Sequence, residues 1–328
     1  PDERFEPASL TKLMTAYLVF GALKDKKLSP EQAVPVSEKA WRAPGSRMFI
    51  EPKRPVSVDE LIRGMVVQSG NDACIALAEA VSGSEEGFAQ LMNREALRLG
   101  MKSSRFANSS GLPDAQHYST ARDLATLAIA LIRDHPELYG QYYSIREYRY
   151  NSITQMNRNR LLWLDAGVDG VKTGYTEAAG YCLIASSKRG PRRMLSVLLG
   201  STSEATRAQE SQKLLNWGYL FFDSVKLYEK NQKVRAIEVY KGAAHEVSAG
   251  LARELYVSVP KGSADKLKVE LHSQQPLSAP VAAGQRLGTL RVALEGRALG
   301  EYPLVALEAV PAAGFFGRAW DTLRLWIK

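Results

Sequence analysis

Ser9 is followed three residues later by Lys12, in the run Ser9-Leu10-Thr11-Lys12. A hydroxyl is a poor nucleophile at neutral pH and needs a base within hydrogen-bond reach; residues three apart on a helix share a face, so Lys12 can come alongside Ser9. Two more short motifs complete the set: Ser69-Gly70-Asn71 adds a hydroxyl and an amide, and Lys172-Thr173-Gly174 adds a second ammonium and another hydroxyl. These groups suffice for an acyl-transfer site that uses neither histidine nor metal. Lysine is a base only when neutral. Burial, the positive end of a helix and a second ammonium from Lys172, should the third motif face the first, all push Lys12 that way. Ser69 can relay the proton to a leaving amine, and Asn71 can hold a substrate amide or the Lys12 side chain. Lys172 and Thr173 suit a substrate carboxylate, and Gly174 lets a ligand come close to the backbone. The N–H of Ser9, at a helix start, suits an oxyanion hole.

Each motif alone is common on protein surfaces; their order and their placement at element ends give them weight. Pro7 before Ser9, with Leu10, Leu13, Met14, Tyr17, Leu18 and Phe20 after it at helical spacing, predicts a buried helix starting at Ser9. Ser57 and Glu60 form a capping box for a helix over Val58 to Val67, Ser69-Gly70 is a turn, and Asn71 to Val81 is a second helix. Helical patterns also run from Glu85 to Leu99 and from Thr120 to Arg133, ending at Gly100 and before Pro136. From Gly167 the pattern becomes strand-like at Val168 to Thr173, Tyr181 to Ser186 and Met194 to Leu199, which puts Lys172-Thr173-Gly174 at a strand end. A long helix, Ser203 to Phe222, follows with Ser203 as cap.

Beyond about residue 226 short β-type segments predominate: Val234 to Tyr240, Leu255 to Val259, Leu267 to Leu271 and Gly288 to Leu294. The expected organisation is a catalytic domain over 1–226, a small all-β domain over 227–312 and an amphipathic helix over 313–328. That last segment gathers Phe316, Ala319, Trp320, Leu323, Trp326 and Ile327 on one face, with Arg318, Asp321, Arg324 and Lys328 largely off it. It is too short to span a bilayer and suited to lie in its surface.

The 328 residues exceed what one core usually serves, and 45% hydrophobic with 24% charged residues is ordinary for a soluble globular protein. A net charge of +8 favours anionic surroundings such as phospholipid or cell-wall polymer. No basic run interleaved with aromatics argues for nucleic acid. Cys74 and Cys182 read as two buried free thiols. His117, in a loop-like stretch, reads as structural or solvent-facing, and His135, His245 and His272 lack partners at ligand spacing, so neither a zinc site nor any other cofactor is expected. Tyr142, Tyr143, Tyr148 and Tyr150 read as loop packing rather than a recognition platform.

Over nearly its whole length the chain resembles the D-alanyl-D-alanine carboxypeptidases of the low-molecular-mass penicillin-binding protein family, type 5 group. The resemblance rests on Pro7 to Met14, Ser69 to Cys74, Asn157-Arg158-Asn159, Val168 to Gly174 and Gly314-Phe315-Phe316. It implies an α/β (α+β) fold of the β-lactamase and transpeptidase type: a five-stranded antiparallel sheet flanked by helices, then a smaller all-β domain and a membrane-associating helix. It further implies that Ser9 forms the acyl-enzyme, Lys12 is the base, Ser69 and Asn71 complete the proton relay, and Lys172 and Thr173 bind substrate. By the same resemblance the N–H of Tyr175 joins the oxyanion hole and Arg207 contacts a carboxylate. The implied partners are the peptidoglycan stem peptide, β-lactam antibiotics and a membrane surface, at the periplasmic face of the bacterial inner membrane.

Two departures stand out. Relatives carry sheet strands ahead of the nucleophile, whereas Ser9 comes eight residues after Pro1, so those strands are expected to be missing here. Tyr175 stands where some relatives have histidine. The competing readings are a β-lactamase, against which no Glu-x-x-Leu-Asn-type segment supplies a deacylation base, and a non-catalytic membrane-associated cell-wall scaffold, against which the intact Ser9, Lys12 and Lys172 argue.

Overall fold

In this computed structural model, which describes residues 1–273 and 275–314, the chain reaches Ser9 in a 3-10 turn, Ala8–Thr11, that runs directly into helix α1 (Lys12–Lys24). The spacing predicts an α-helix from Ser9 itself. The tighter turn has a consequence for the motif, because side chains three apart eclipse one another in a 3-10 turn. α1 has no solvent face along most of its length: Leu13, Met14, Ala16, Val19 and Phe20 are fully buried, so it forms the axis of the core.

Short strands β1 (Ala33–Val34) and β2 (Val56–Ser57) pair with each other on either side of the one-turn helix α2 (Glu38–Trp41). α3 (Val58–Val67) begins at the expected capping box, with the Ser57 N–H donating to the Glu60 carboxylate at 2.9 Å. α4 (Asn71–Ser82) and α5 (Glu85–Leu99) end on left-handed Gly83 and Gly100, and α6 (Ala121–Asp134) starts from the Thr120 cap. Pro136 does end α6, yet it also opens α7 (Pro136–Tyr142), since proline at a first helical position lacks only an N–H that would have no partner there. Tyr142 and Tyr143 are therefore core residues rather than loop residues, stacked or edge-on against Phe20. The hairpin β3 (Glu147–Tyr150) and β4 (Ile153–Met156) and the short helix α8 (Leu161–Leu164) lead to the sheet.

β5 (Val168–Thr176), β6 (Gly180–Arg189) and β7 (Arg192–Ser201) form an antiparallel meander. Among the described residues this sheet has three strands, not the five that the resemblance implies. Residues 1–8 contribute no strand; Phe5 makes an isolated bridge to Ser119. β5 also runs further than expected. Gly174, Tyr175 and Thr176 pair with Cys182, Tyr181 and Gly180, so Lys172-Thr173-Gly174 lies inside the strand rather than at its end. α9 (Glu204–Phe221) then starts at Ser203, whose Oγ accepts from the Thr206 N–H at 3.0 Å.

Two units emerge, Pro1–Gly218 and a second beginning at Tyr219. The second contains β8 (Phe222–Tyr228), β9 (Lys233–Tyr240), β10 (Glu246–Gly250), β11 (Leu255–Pro260), β12 (Leu267–Ser273), β13 (Leu277–Ser278), β14 (Arg286–Leu294) and β15 (Arg297–Ala306). A six-stranded sheet in the order β12-β14-β15-β10-β9-β13 faces the β11-β8 pair across a core of Leu255, Val257, Val259, Leu290 and Val292. Because β8 pairs with β11, it belongs to this unit, and the boundary expected after residue 226 cuts through it. The amphipathic segment beginning at Phe315 lies outside the described residues. No helix among those described is long and apolar enough to cross a membrane.

Candidate active site

The 3-10 turn sets the first geometry. With residues 9 and 12 eclipsed, the Lys12 Nζ donates to Ser9 Oγ at 2.9 Å. It also donates to Asn71 Oδ1 at 2.7 Å and to the Ser110 carbonyl at 2.6 Å, so three acceptors hold the amine in place. Lys12 is 1% exposed. Burial pulls its pKa down to about 8, and the charge of Arg158 acts in the same direction against Cys74 and Asp72. About a tenth of the amine is then neutral at pH 7, against a few parts in ten thousand for an ordinary lysine.

The second and third motifs meet at a hydroxyl. Lys172 Nζ donates to Ser69 Oγ at 3.0 Å and to the Thr173 carbonyl at 3.0 Å. Lys172 is also buried; burial first, then the charges of Lys12 and Arg158, hold it well below the usual lysine range. Ser69 sits at φ +63°, a left-handed conformation that costs a non-glycine residue about 1 kcal/mol. The turn is pinned on both sides, by Gly70 N–H to the Gly64 carbonyl and Asn71 N–H to the Ser46 carbonyl at 2.7 Å.

Loops far apart in sequence complete the surround. The Asp72 carboxylate accepts from the N–H groups of Met48 at 3.0 Å and Phe49 at 2.8 Å, and Asn71 Nδ2 donates to the Pro44 carbonyl at 2.7 Å, which fixes the 44–49 wall. On the opposite side Asn108 Oδ1 gathers the N–H groups of Ser110, Gly111 and Leu112 and so presents the Ser110 carbonyl to Lys12. Gly111 is required here: at φ +83° an added Cβ would overlap the Ala8 carbonyl oxygen. At Gly174 an added Cβ would meet Pro7 O at 3.2 Å and Ala8 Cβ at 3.3 Å, a tight fit that shows how closely β5 presses against the Ala8–Thr11 turn.

A cleft of about 360 Å³ opens over this arrangement. Ser9, Ser69, Asn71, Thr173, Gly174, Tyr175 and Arg207 all line it, while Lys12 and Lys172 lie buried behind them. Tyr175 leans on Tyr181 with ring centroids 4.4 Å apart, leaving its side chain half exposed at the rim. Arg207 Nη2 donates to the Arg158 carbonyl at 3.3 Å and pairs with Glu204 at 3.2 Å. His117 is buried one shell out: its Nε2 lies 2.8 Å from Thr11 Oγ1, and burial lowers its pKa to about 4. It packs against Phe106 and is not among the residues that line the cleft.

Arg158 also lines the cleft, as do Gly45, Ser46, Ser110, Gly111, Leu112 and Thr176, none of which carries a chemical role in the sequence motifs. The signal for Arg158 was the pair of asparagines around it. Asn157 donates to the Ile145 carbonyl at 2.9 Å, Asn159 to the Gly170 carbonyl at 3.0 Å, and Asn159 N–H to Asn157 Oδ1 at 2.9 Å. Both are buried while Arg158 is exposed, so the motif is a double clamp that projects one guanidinium. Cys74 and Cys182 are free and buried, and among the described residues no cluster of His, Cys, Asp or Glu could hold a metal ion.

The family model described as D-alanyl-D-alanine carboxypeptidase matches residues 1–203, and that of the penicillin-binding protein 5 C-terminal domain matches residues 222–312. The chain is 43% identical to the D-alanyl-D-alanine carboxypeptidase DacC of Escherichia coli over 98% of its own length and 82% of the relative's. Among solved structures, penicillin-binding protein 5 of Haemophilus influenzae is 39% identical with a TM-score of 0.81, covering 95% of this chain and 92% of that one. Penicillin-binding protein D2 of Listeria monocytogenes, in its ampicillin-bound form, is 33% identical with a TM-score of 0.61, covering 66% of this chain and 88% of that one.

Proposed function

The chain belongs to the D-alanyl-D-alanine carboxypeptidase family, and we propose that in it Ser9 is the nucleophile, Lys12 the base and Ser69 the proton relay of a serine-type hydrolysis of D-alanyl-D-alanine stem peptides. The observation that carries this assignment is the Lys12 amine, pulled to a pKa of about 8 and 2.9 Å from Ser9 Oγ. As Ser9 Oγ attacks the penultimate D-alanine carbonyl, its proton passes to Lys12 Nζ. Ser69, tethered to Lys172, lies on the route by which that proton reaches the leaving D-alanine nitrogen. The N–H groups of Ser9 and Tyr175 serve the oxyanion, the second brought close by the contact between β5 and the nucleophile turn. Thr173 and Arg207 bind the terminal carboxylate from the cleft wall, Lys172 supports it from behind through Ser69 and Thr173, and Asn71 holds Lys12 in line. Water then attacks the ester with Lys12 again as base.

A β-lactam offers the same carbonyl in a strained ring whose amine stays tethered after acylation, so it should load Ser9 and leave slowly. Intact-protein mass spectrometry after penicillin exposure, with peptide mapping and a parallel assay of D-alanine release from a pentapeptide, tests the assignment. The expected result is one adduct on Ser9 and prompt D-alanine release; an adduct elsewhere, or none, removes Ser9 from its role. Fast drug turnover without D-alanine release would favour a β-lactamase.

We also infer peripheral attachment to the outer surface of the bacterial inner membrane through Phe316 to Lys328, supported by the apolar face and flanking cations of that segment and by the net charge of +8. Removing residues 314–328 should abolish flotation with anionic vesicles while leaving penicillin labelling intact; unchanged flotation would refute the anchor.

A further inference from the structure

An acidic residue in the first turn of a helix normally stands in solvent, where it complements the helix dipole. Glu86, in the first turn of α5, does so with its side chain 75% exposed, whereas its neighbour Glu85 is turned inward and only 10% exposed. A carboxylate taken out of water must be paired and hydrogen-bonded. Glu85 is both: Oε2 meets Lys39 Nζ at 3.1 Å, and Oε1 accepts from the Ser109 N–H at 3.1 Å and from Ser109 Oγ at 2.6 Å. Ser109 is itself fully buried, and its carbonyl accepts from Thr15 Oγ1 at 2.6 Å, three residues along from Lys12. Every polar group of Ser109 is thus tied, and the next carbonyl in the chain is the Ser110 oxygen that accepts from Lys12.

We propose that Glu85 is a positioning residue for the base: its carboxylate anchors Ser109, and that anchor sets where the Ser110 carbonyl meets the Lys12 amine. The inference rests on Lys12 as the base of the proposed reaction and deepens that reading. The Asn108 side chain gathers the N–H groups of its own turn and so holds the turn to itself. Glu85 does something different, since it ties the turn to α5, while Thr15 ties it to α1, the helix that carries Lys12. Neither Glu85 nor Ser109 lines the cleft, so their influence on the reaction passes through the backbone at Ser110.

A carbonyl acceptor favours the charged amine. Without it the amine gives up its proton more readily but stands less well aligned with Ser9 Oγ. Loosening Ser109 therefore has a double signature: the pH midpoint of acylation falls, and the plateau rate above that midpoint falls with it. A loss of stability alone moves neither in the molecules that remain folded. The other charged or titratable groups that face Lys12, namely Asp72 and Cys74 on α4, Lys172 on β5, Arg158 and His117, are untouched by substitutions at residues 85 and 109.

The test measures the rate of Ser9 acylation by a fluorescent penicillin from about pH 6 to about pH 10 in the full chain, with a thermal melt of each protein alongside. Glu85→Ala should lower the plateau about tenfold and move the midpoint down by about one pH unit. Glu85→Gln keeps an acceptor oxygen for Ser109 and should restore the wild-type midpoint and about half or more of the plateau. Ser109→Ala, which loses only the hydroxyl contact, should move the midpoint in the same direction by about half a unit. A folded Glu85→Ala protein with the wild-type midpoint overturns the proposal even if it melts earlier, because the contact is then structural. A Glu85→Gln midpoint shifted as far as that of Glu85→Ala overturns it too, by assigning the effect to charge. Should Glu85→Ala fail to fold, Ser109→Ala decides alone, and a wild-type midpoint there is the refutation. A wild-type rate that does not rise with pH would remove Lys12 as the base, and this inference with it.

Discussion

As the proposed base Lys12 must be uncharged to work; burial, aided by the charge of Arg158, pulls its pKa to about 8, while three acceptors hold the amine in place. Because the neutral form is the base, the acylation rate with a fluorescent penicillin should rise with pH through about 8 and then level off. A rate that falls over that range would remove Lys12 from the role. Lys12→Arg keeps a cation where an amine is needed, since guanidinium does not deprotonate, and should lower acylation by about 1,000-fold, whereas Ser9→Ala, which lacks the attacking oxygen, should abolish it. His117 has the opposite consequence, for stability rather than rate. Its folded pKa, lowered by burial to about 4, lies below the usual 6.5, so the folded state binds fewer protons between those values. Stability should be fully present above pH 6.5 and decline by about 3 kcal/mol as pH falls toward 4. Urea midpoints that show the same decline in His117→Asn would refute that attribution.

At the scale of elements, the site depends on backbone brought close by residues that do no chemistry. Gly111→Ala puts a Cβ against the Ala8 carbonyl and a side chain at φ +83°, so it should destabilise by about 2 kcal/mol or more and reduce acylation along with it. Normal labelling in a folded Gly111→Ala protein would show that the 108–112 loop does not align Lys12. Such elements were unevenly legible in the sequence. The capping box at Ser57 and Glu60, the stops at Gly83 and Gly100 and the caps at Thr120 and Ser203 are local signals, and the helices they bound follow from them. Strands β10 and β15 gave little, because Glu246–Gly250 is short and Arg297–Ala306 carries Gly300 and Pro303; both are strands by virtue of pairing with distant partners. The motif residues could be named from their types and order. The 3-10 turn, the Asn108 hub and the Asp72 grip on the 48–49 backbone could not, since each is a contact between residues far apart or a choice between two helical turns.

On the molecular scale, the two units have separate hydrophobic cores, one around α1 and another within the β-sheets that begin with β8. Units with their own cores unfold on their own terms. Calorimetry should therefore resolve two transitions. Loading Ser9 with a β-lactam should raise the one belonging to the catalytic unit and leave the other in place, because a ligand stabilises what it binds. A single transition that moves as a whole would mean that the units unfold together. The charges are likewise a property of the whole chain: a net charge of +8 favours anionic surroundings, so the proposed vesicle binding should weaken with salt.

The Ser110 carbonyl that steadies the base belongs to the main chain, and no point mutation deletes a main-chain oxygen. Its neighbours have little room to drift, with Gly111 pressed on Ala8 and three N–H groups gathered by one asparagine. An inhibitor designed to lean on residues 110 to 112 would thus press where drug resistance is hardest to evolve. Any change that loosens its grip would also misalign the amine proposed as the base.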